Sequence, residues 1–497
     1  MPAISEMLRF WVDMTLECNR RDHTASYSSG DQRGPFMSAR SMGLALAAMH
    51  DADVVAANDA ARTQLLPKAT PPAGLPGSVR VVAAAAACLQ VLLLRFPQQA
   101  KALDLSWSEW LARFALGGVG SSSEVAGRLF GHTVNSLGAT DWRYRMDKDY
   151  VGPDTPYLHR PPASEPNQKL HGADWTHADH LLATRVANFT EPPGRAAPSI
   201  THFVADFDKV ADKGAAKGGS RSPDEEIIGI YWAYDGPMEL GTPPRLYMQV
   251  VLAILDSLHR HPTGGLDPSD ELQIIAAITI AMSDAGNDAW HYKYAATHMM
   301  WRPAVGIPNA VAGSGVAIPD WLPLGRPDTN GERVWLTPNF PAYPSGHATF
   351  GAAAFQLLRL YLVSKLPAGF KFTPDGTDDI GFEFVSDEYD GRNRDPRTKA
   401  PRPYLIRSFK SLWDAIIENS VSRVYLGVHW QFDGVTKRNS AGNGDEFGIP
   451  ATPSQLGHTG GVWLGTQIAN QIALGLGITQ ATIDQSAGVN SGAAAAA

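Results

Sequence analysis

The chain has 497 residues, of which 44% are hydrophobic and 19% are charged, and its formal net charge is −8. This composition predicts a globular protein with a large core, and it argues against a nucleic-acid-binding protein, which needs clustered positive charge. The two cysteines, Cys18 and Cys88, are too few for a disulfide framework or a cysteine-rich metal site.

The first residues of the chain and its longest apolar stretch were compared with targeting and membrane-spanning signals. The first residues lack a basic start followed by an apolar core, so no signal peptide is visible in this chain. The longest apolar stretch, residues 81–94, is shorter than the roughly 20 residues that span a bilayer. We therefore predict a buried helix in a soluble protein without membrane contact, and we expect Cys88 to be a buried thiol within it.

The N-terminal half is predicted to be helical over residues 5–20, 38–52, 78–95 and 100–137, the last with glycine-rich breaks. Residues 139–199 then form a long segment rich in Pro, Asp, His and Gly, which predicts irregular structure over the surface or near a pocket mouth. Its histidines lack a nearby cysteine or glutamate, so solvated loop side chains are favoured over metal ligands. These residues are His171, His177 and His180.

The C-terminal half repeats this pattern of helices and irregular loops. We predict helices over residues 224–233, 245–260, 270–300, 346–366, 405–425 and 455–475. A loop rich in Pro and Gly spans residues 303–340. The acidic loop 371–403 does not follow EF-hand spacing, so a solvated loop is favoured over a calcium site.

These elements predict an all-α fold, a large multi-helix protein built around two helical bundles with long irregular loops. We expect a single domain over residues 1–497. Its N-terminal half covers approximately residues 1–222, and its C-terminal half, approximately residues 223–480, carries the candidate site. Residues 481–497 end in a run of alanines and are predicted to be a disordered tail.

The stretch from Phe340 to Phe350 contains the first candidate site. Two prolines and a glycine keep the chain irregular up to Ser345, and an apolar helix follows, so Ser345 is predicted to cap that helix. The free amides of Gly346 and His347 and the positive end of the helix dipole would then face an anion. His347 could serve as an acid, a base or a hydrogen-bond donor. An ordinary capped helix with a surface histidine explains the same residues.

Two further segments supply groups that suit an anion site. Gly427 can end a helix that carries Arg423 in its last turn, and Asp433 can orient the ring of His429. Lys293 and Arg302 provide a point charge and a planar guanidinium, which an oxyanion with several oxygens demands.

A third segment, residues 231–236, supplies Asp235 as a carboxylate partner for an arginine. Singly, each group has an ordinary explanation, such as a surface ion pair or a core histidine. Their joint order, Lys…Arg-Pro, Pro-Ser-Gly-His and Ser-Arg-x5-His-x3-Asp, is not expected by chance.

This order is similar to the signature of the type 2 phosphatidic acid phosphatase and vanadium haloperoxidase superfamily. Nearly the whole chain, apart from the tail and several loops, resembles the fungal-type vanadium-dependent chloroperoxidases. The stretches that carry the resemblance are residues 19–24, 38–40, 50–52, 231–236, 241–245, 283–286 and 340–351, together with Trp290.

The resemblance implies a vanadate cofactor, with phosphate as an occupant of the apo form, and it implies a role for each matching residue. His429 is the ligand of vanadium, and His347 is the acid–base residue that helps to bring in peroxide. The vanadate oxygens are implied to be held by Lys293, Arg302, Arg423, Ser345 and the amide of Gly346. Asp235 is implied to hold Arg423, while Trp290 and Phe340 form the halide side of the pocket.

The activity that the resemblance implies is oxidation of halide by hydrogen peroxide to hypohalous acid, which halogenates small organic nucleophiles. Bromide-limited relatives tend to carry a histidine in place of Phe340, so this phenylalanine favours chloride oxidation as well. The resemblance is compatible with a secreted or periplasmic protein. It is also compatible with either a monomer or a homo-oligomer.

One departure from the pattern concerns Lys293. Eight residues separate it from Arg302, against six or seven in the family. On a straight helix the two side chains would point in opposite directions at 100° per residue. Either the helix ends between the two residues, or Lys293 does not reach the site.

Two alternatives to a haloperoxidase stay open. The same residues would suit an acid phosphatase with His429 as nucleophile and His347 as general acid. However, the soluble phosphatases of this superfamily are about half as long, and the lipid phosphatases carry membrane spans. The second alternative is a helical anion-binding or scaffold protein without activity, which would require a broken catalytic set.

Overall fold

The computed structural model describes residues 6–117, 120–144, 147–149, 154–193, 200–261 and 264–489. Helices dominate these ranges. The α-helices are α1 (Glu6–Asp22), α2 (Pro35–Ala57), α3 (Arg80–Arg95), α4 (Ala100–Arg113), α5 (Ser122–Ser136), α6 (Ile200–Lys213), α7 (Pro223–Tyr231), α8 (Pro243–Leu258), α9 (Pro268–Tyr294), α10 (Pro303–Gly306), α11 (Gly346–Lys365), α12 (Leu412–Tyr425), α13 (Gln431–Gly434), α14 (Gly461–Gly475) and α15 (Gln480–Ser486).

Short 3-10 helices and two small sheets complete the described structure. The 3-10 helices are Pro97–Gln99, Asp141–Arg143, Trp175–His177, Asp387–Tyr389 and Pro453–Gln455. Strand Phe382–Phe384 pairs antiparallel with Arg407–Phe409, and Lys437–Arg438 pairs antiparallel with Asp445–Glu446. The prediction of an all-α protein is confirmed.

Two groups of helices surround the core. Helix α2 is buried along almost its whole length and packs against α3 and α5 on the N-terminal side and against α9 on the other. Helix α11 packs against α8, α9, α12 and α14. Helices α2 and α9 therefore join the two bundles, and the start of α11 lies within the second bundle.

Two glycines allow α14 to approach the start of α11. A Cβ atom on Gly461 would overlap with the carbonyl oxygen of Ser345, and one on Gly465 would overlap with that of Thr349. Backbones this close leave no room for a side chain between them. Helix α14 therefore packs directly against the end of α11 that carries the Pro-Ser-Gly-His sequence.

Most predicted helices are present, with shifted boundaries. The helix predicted over residues 270–300 ends at Tyr294, and the one predicted from residue 405 begins at Leu412, after strand Arg407–Phe409. The helix predicted from residue 455 begins at Gly461. Helix α6 was not predicted, although Phe203, Phe207 and Val210 are buried at helical spacing.

The disorder predicted from residue 481 was wrong over residues 481–486. These residues belong to α15, where Thr479 caps the helix and Ile483 is buried. The run of alanines at the end of the sequence suggested a disordered segment. The short helix that precedes this run, however, has its own N-cap and a buried apolar side chain. Residues 490–497 lie outside the described residues.

Two loop predictions were wrong, because side chains expected in solvent are buried and bonded to other groups of the protein. Asp378 of the acidic loop accepts the amide hydrogens of Leu412 and Trp413 at 2.8 and 3.1 Å, and Glu388 pairs with Arg402 at 2.5 Å. His180 is not a solvated loop histidine, since its Nε2 lies 2.7 Å from Asp288. His177 is exposed as expected. In the described ranges no cluster of His, Cys, Asp and Glu suits a metal ion.

Of the helices described, none alone has both the length and the apolar composition needed to cross a bilayer. One bent pair meets that test when its halves are joined, Arg80–Arg95 with Pro97–Arg113, which meet at 113°. The apolar stretch 81–94 lies in α3, where Cys88 is buried as predicted.

Candidate active site

A single cavity of about 390 Å³ opens at the N-terminal end of α11. Both predicted histidines line it, so the two halves of the motif meet although they are 82 residues apart in sequence. The predicted site residues that line this cavity are Asp235, Trp290, Phe340, Gly346, His347 and His429. Arg302, Arg423, Lys293, Ser345 and Asp433 lie around it and reach it through the contacts described below.

Ser345 is the N-cap of α11, as the sequence predicted. Its Oγ accepts a hydrogen bond from the amide of Ala348 at 3.5 Å, and its own N–H donates to the carbonyl of Asp433 at 2.7 Å. The side chain is fully buried. The hydroxyl proton is not used by the cap, so Ser345 keeps a donor for an anion at the helix start.

His429 is held in one tautomer by Asp433. Its Nδ1–H donates to Asp433 Oδ2 at 2.9 Å, and the amide of Trp430 donates to the same oxygen at 2.9 Å. Nε2 is therefore the unprotonated ring nitrogen, and its electron pair accepts a hydrogen bond from Arg302 Nη1 at 3.0 Å. Burial, and then the charge of Arg302, hold the pKa of His429 well below its usual value, so the ring is neutral.

The turn that carries His429 is fixed by a residue that the sequence did not single out. Asp206 of α6 accepts the amide hydrogens of Gln431 and Phe432 at 2.7 and 2.8 Å, and it is fully buried. These amides start α13, directly after His429. Burial raises the pKa of Asp206 to about 7. The partners are 225 and 226 residues apart, so no local pattern reveals the contact.

Two buried guanidinium groups contact residues that line the cavity, and both keep unused donors. Arg302 donates through Nε to the carbonyl of Phe340 at 2.9 Å and through Nη1 to that of Val428 at 2.7 Å, while its Nη2 has no partner within the described ranges. Arg423 donates through Nη2 to Asp235 at 2.7 Å, while its Nε and Nη1 have no partner in the part of the chain that the structure describes. Buried N–H groups are nearly always paired, so this donor set fits an oxyanion that accepts from both arginines.

Lys293 reaches the loop before Ser345 because α9 ends one residue later, at Tyr294. Its Nζ donates to the carbonyl oxygens of Pro341 and Ala342 at 2.9 and 3.0 Å and also to that of Pro344. An ammonium has three protons, so all of its donors are used within the protein. Burial, and then the charge of Arg302, hold its pKa well below the ordinary value.

His347 is neutral and shares Asp235 with Arg423. Its Nε2–H donates to the carbonyl of Ala233 at 2.6 Å, which leaves Nδ1 as its proton acceptor, and Nε2 lies 3.8 Å from Asp235. Burial, and then the charge of Arg423, lower the pKa of His347 to about 3. A bound anion would act in the opposite direction, because negative charge favours the imidazolium form.

An aromatic wall closes one side of the cavity. The ring centroids of Trp290 and Phe340 are 4.8 Å apart, and Phe36 of α2 lies 4.6 Å from Trp290. Trp290 and Phe36 are fully buried, whereas Phe340 is partly exposed. Phe36 was not predicted, because it belongs to the other bundle and nothing in its surroundings marks it.

Buried arginines, a neutral histidine and a capped helix start, gathered between helices, form the kind of site that helical oxyanion-binding proteins use. The sequence profile of the VCPO second helical-bundle domain matches residues 273–450. The chain is also 30% identical over 502 residues to the vanadium chloroperoxidase of Curvularia inaequalis, an alignment that covers 86% of this chain and 79% of that protein. The chain therefore belongs to the vanadium haloperoxidase family.

Solved structures share its fold. A bacterial vanadium-dependent iodoperoxidase superposes with a TM-score of 0.61 at 18% identity, covering 95% of this chain and 97% of the other. The holo form of a bacterial vanadium-dependent chloroperoxidase superposes with a TM-score of 0.59 at 14% identity, covering 94% and 96%. The helical fold is thus shared with proteins of low sequence identity.

Proposed function

We propose that this protein is a vanadate-dependent haloperoxidase, which uses hydrogen peroxide to oxidise bromide, and also chloride, to hypohalous acid that halogenates small organic nucleophiles. The observation that carries the proposal is the set of buried N–H groups on Arg302 and Arg423 that lack a partner among the described residues, together with the unprotonated Nε2 of His429, which lies 3.0 Å from Arg302 Nη1. Two arginines and an imidazole nitrogen form a donor set for an oxyanion whose central atom accepts a nitrogen ligand.

In this proposal the protein holds vanadate through groups that are already in place. Arg302 Nη2 and Arg423 Nε and Nη1 donate to its oxygens, as do the hydroxyl of Ser345 and the amide of Gly346 at the start of α11. His429 would supply the nitrogen ligand through Nε2, whose electron pair becomes available when Arg302 Nη1 gives up its hydrogen bond to the ring. Lys293 contributes positive charge, and its hydrogen bonds to carbonyl oxygens order the loop that leads to Ser345. When bound, vanadate supplies a Lewis acid at which hydrogen peroxide becomes electrophilic.

His347 handles the proton of the incoming peroxide. Its Nε2–H is committed to the carbonyl of Ala233, so the proton is accepted at Nδ1. The neutral ring of the anion-free protein is in the correct state to accept it. Asp235 lies close enough to stabilise the imidazolium that results, while its main partner remains Arg423.

We also propose that residues 1–222 and 223–480 are the two halves of one domain. The broad contact between α2 and α9 supports a single domain, since it buries the main helix of the N-terminal half against the second bundle. On this division, the residues proposed to hold the oxyanion all come from the second half, while Phe36 of the first half closes the aromatic wall behind Trp290.

Replacing Phe340 by histidine is expected to lower chloride turnover more than bromide turnover, by about 10-fold or more in the ratio of kcat/KM. The ring of Phe340 covers Arg302 at 5.0 Å and contacts Trp290, so a polar ring there would let water into the halide side of the pocket. Chloride is harder to desolvate and to oxidise than bromide. Steady-state kinetics with both halides measure the ratio, and Phe340→Leu serves as an apolar control. Equal losses for the two halides would contradict a role of Phe340 in halide choice.

Adding orthovanadate to protein that has been dialysed free of oxyanions is expected to produce peroxide- and bromide-dependent bromination of a phenolic dye. Phosphate should compete with vanadate, because the same N–H groups would hold it. The alternative of an acid phosphatase, with a phosphoryl group on His429, is tested in the same samples with para-nitrophenyl phosphate. Hydrolysis of that ester without any vanadate-dependent bromination would contradict the proposal and favour the phosphatase.

A further inference from the structure

The cavity continues past Trp290 and Phe340 to a polar outer end. Its volume of about 390 Å³ falls within the roughly 300–1,000 Å³ of sites for small organic molecules, which exceeds what a halide needs. Prolines and Phe340 supply apolar surface there, from Pro35, Pro243 and Pro338. The charged and titratable side chains at this end are His23, Arg33, Asp147, His171, Arg326, Asp328 and Arg333.

His171 and Asp147 form a pair in the wall of this outer end. Asp147 Oδ1 lies 2.5 Å from His171 Nδ1, so Nδ1 carries the proton and Nε2 is the acceptor nitrogen. Nε2 has no hydrogen-bond partner among the described residues. It lies against Gly34, which has a φ of +89° and where a Cβ atom would overlap with it. A side chain at position 34 would therefore displace Nε2, and both His171 and Gly34 line the cavity.

The position of His171 is fixed by its backbone and by an aromatic contact. Its N–H donates to the carbonyl of Asn339 at 2.9 Å, and its own carbonyl accepts from the hydroxyl of Tyr294 at 2.8 Å and from Trp290 Nε1 at 3.3 Å. The ring packs against Phe36 with centroids 5.0 Å apart. Two residues of the aromatic wall, Trp290 and Phe36, thus hold His171 beside the halide side of the pocket.

From this geometry we infer that His171, oriented by Asp147, is a general base for a phenolic co-substrate that binds in the outer cavity and is halogenated there. The inference rests on the proposed function, which supplies hypohalous acid from the inner end of the same cavity. A carboxylate-oriented imidazole with an accessible Nε2 is the usual device for removing a proton from a hydroxyl group. The aromatic and proline surface suits the ring of the phenol.

The reaction balances without another reagent. The phenol transfers its O–H proton to His171 Nε2 while its ortho carbon forms a bond to the halogen and the O–X bond of hypohalous acid breaks. The departing hydroxide takes the proton from Nε2 and leaves as water. The ring carbon then loses its hydrogen to solvent while the oxygen regains one, which gives the halophenol. The carbon is oxidised and the halogen is reduced to the halide level.

His171→Gln tests the inference, with His177→Gln as the matched control on the same segment, where the side chain is exposed. In the vanadate-loaded enzyme, phenol bromination by His171→Gln is expected to fall at least about 10-fold, and its ortho-to-para ratio to drop to that of reagent hypobromous acid. Bromamine formation with taurine, which traps free hypobromous acid, should stay within about twofold of the parent. His177→Gln should match the parent in both assays.

A second readout needs no vanadate. Para-nitrophenol bound to the vanadate-free protein is expected to ionise at a lower pH than the free compound, because Nε2 accepts its proton, and this shift should vanish in His171→Gln. Unchanged phenol bromination and an unchanged ionisation shift in His171→Gln would overturn the inference. If taurine is not brominated by the parent either, the proposed function itself fails, so the two failures are distinguishable.

Discussion

Replacing His429 by alanine is expected to weaken vanadate binding by more than about 100-fold and to abolish halide oxidation. Nε2 of this ring is the acceptor beside Arg302, and Asp433 keeps the opposite nitrogen protonated. Loss of groups that merely orient a metal ligand already costs roughly 10–100-fold in affinity, so loss of the ligand itself should cost more. Equilibrium dialysis against orthovanadate measures the affinity directly, without relying on turnover.

Asp433→Asn provides the matched comparison for His429→Ala. The amide can still occupy the space of the carboxylate, but it stabilises the correct ring orientation less well, so a loss of roughly 10–100-fold is expected. Phosphate affinity should decline less than vanadate affinity in His429→Ala, because phosphate needs the N–H donors but no nitrogen ligand. Undiminished vanadate affinity in His429→Ala would remove its role as the ligand.

Replacing Arg423 by methionine is expected to destabilise the protein by about 3–5 kcal/mol and to remove oxyanion binding together. Arg423 and Asp235 are buried at 1% and 8% side-chain exposure with 2.7 Å between them, and breaking such a pair leaves an uncompensated charge. Burial raises the pKa of Asp235, but Arg423 holds it below the ordinary value. Urea unfolding measures the stability, and equilibrium dialysis measures the binding.

The pH dependence of this variant follows from the same pair. Without Arg423 the folded-state pKa of Asp235 rises above its unfolded value, so the folded protein favours the protonated carboxyl. The destabilisation should therefore be greatest at neutral pH and should decrease as the pH falls and Asp235 takes up a proton.

The double variant Arg423→Met, Asp235→Asn separates the two effects of the substitution. Stability should largely return, because no buried charge is left unpaired, whereas oxyanion binding should not return, because the donors Nε and Nη1 are gone. Recovery of binding in the double variant would show that Arg423 acts only through folding. A double variant as unstable as Arg423→Met alone would show that the buried pair is not the cause.

The sequence predicted the site best where local rules act. Ser345 caps α11 because two prolines precede an apolar helix, and Gly427, with a φ of +67°, ends the segment before His429 as expected. The position of Lys293 stayed ambiguous for a local reason as well. Neither glycine nor proline marks the end of α9 at Tyr294, so the sequence did not show whether the helix continued toward Arg302.

The contacts that escaped prediction join distant parts of the chain. Asp206 fixes the turn of His429 from a helix that was missed although its apolar residues recur at helical spacing, and Phe36 completes the aromatic wall from the other bundle. His171 was predicted to be a solvated loop side chain, since the partners of its backbone are more than 100 residues away. These contacts depend on how the two bundles pack against each other. A short stretch of sequence does not show which distant residues will be brought together by that packing.

The three cations proposed to surround the oxyanion keep their places through bonds within the chain: Arg423 through Asp235, Arg302 through two carbonyls, and Lys293 through three. The polypeptide can therefore complete its architecture before any inorganic component arrives. Loading then becomes a reversible exchange with the surroundings, and the fraction of active molecules would follow how much of the element the environment supplies.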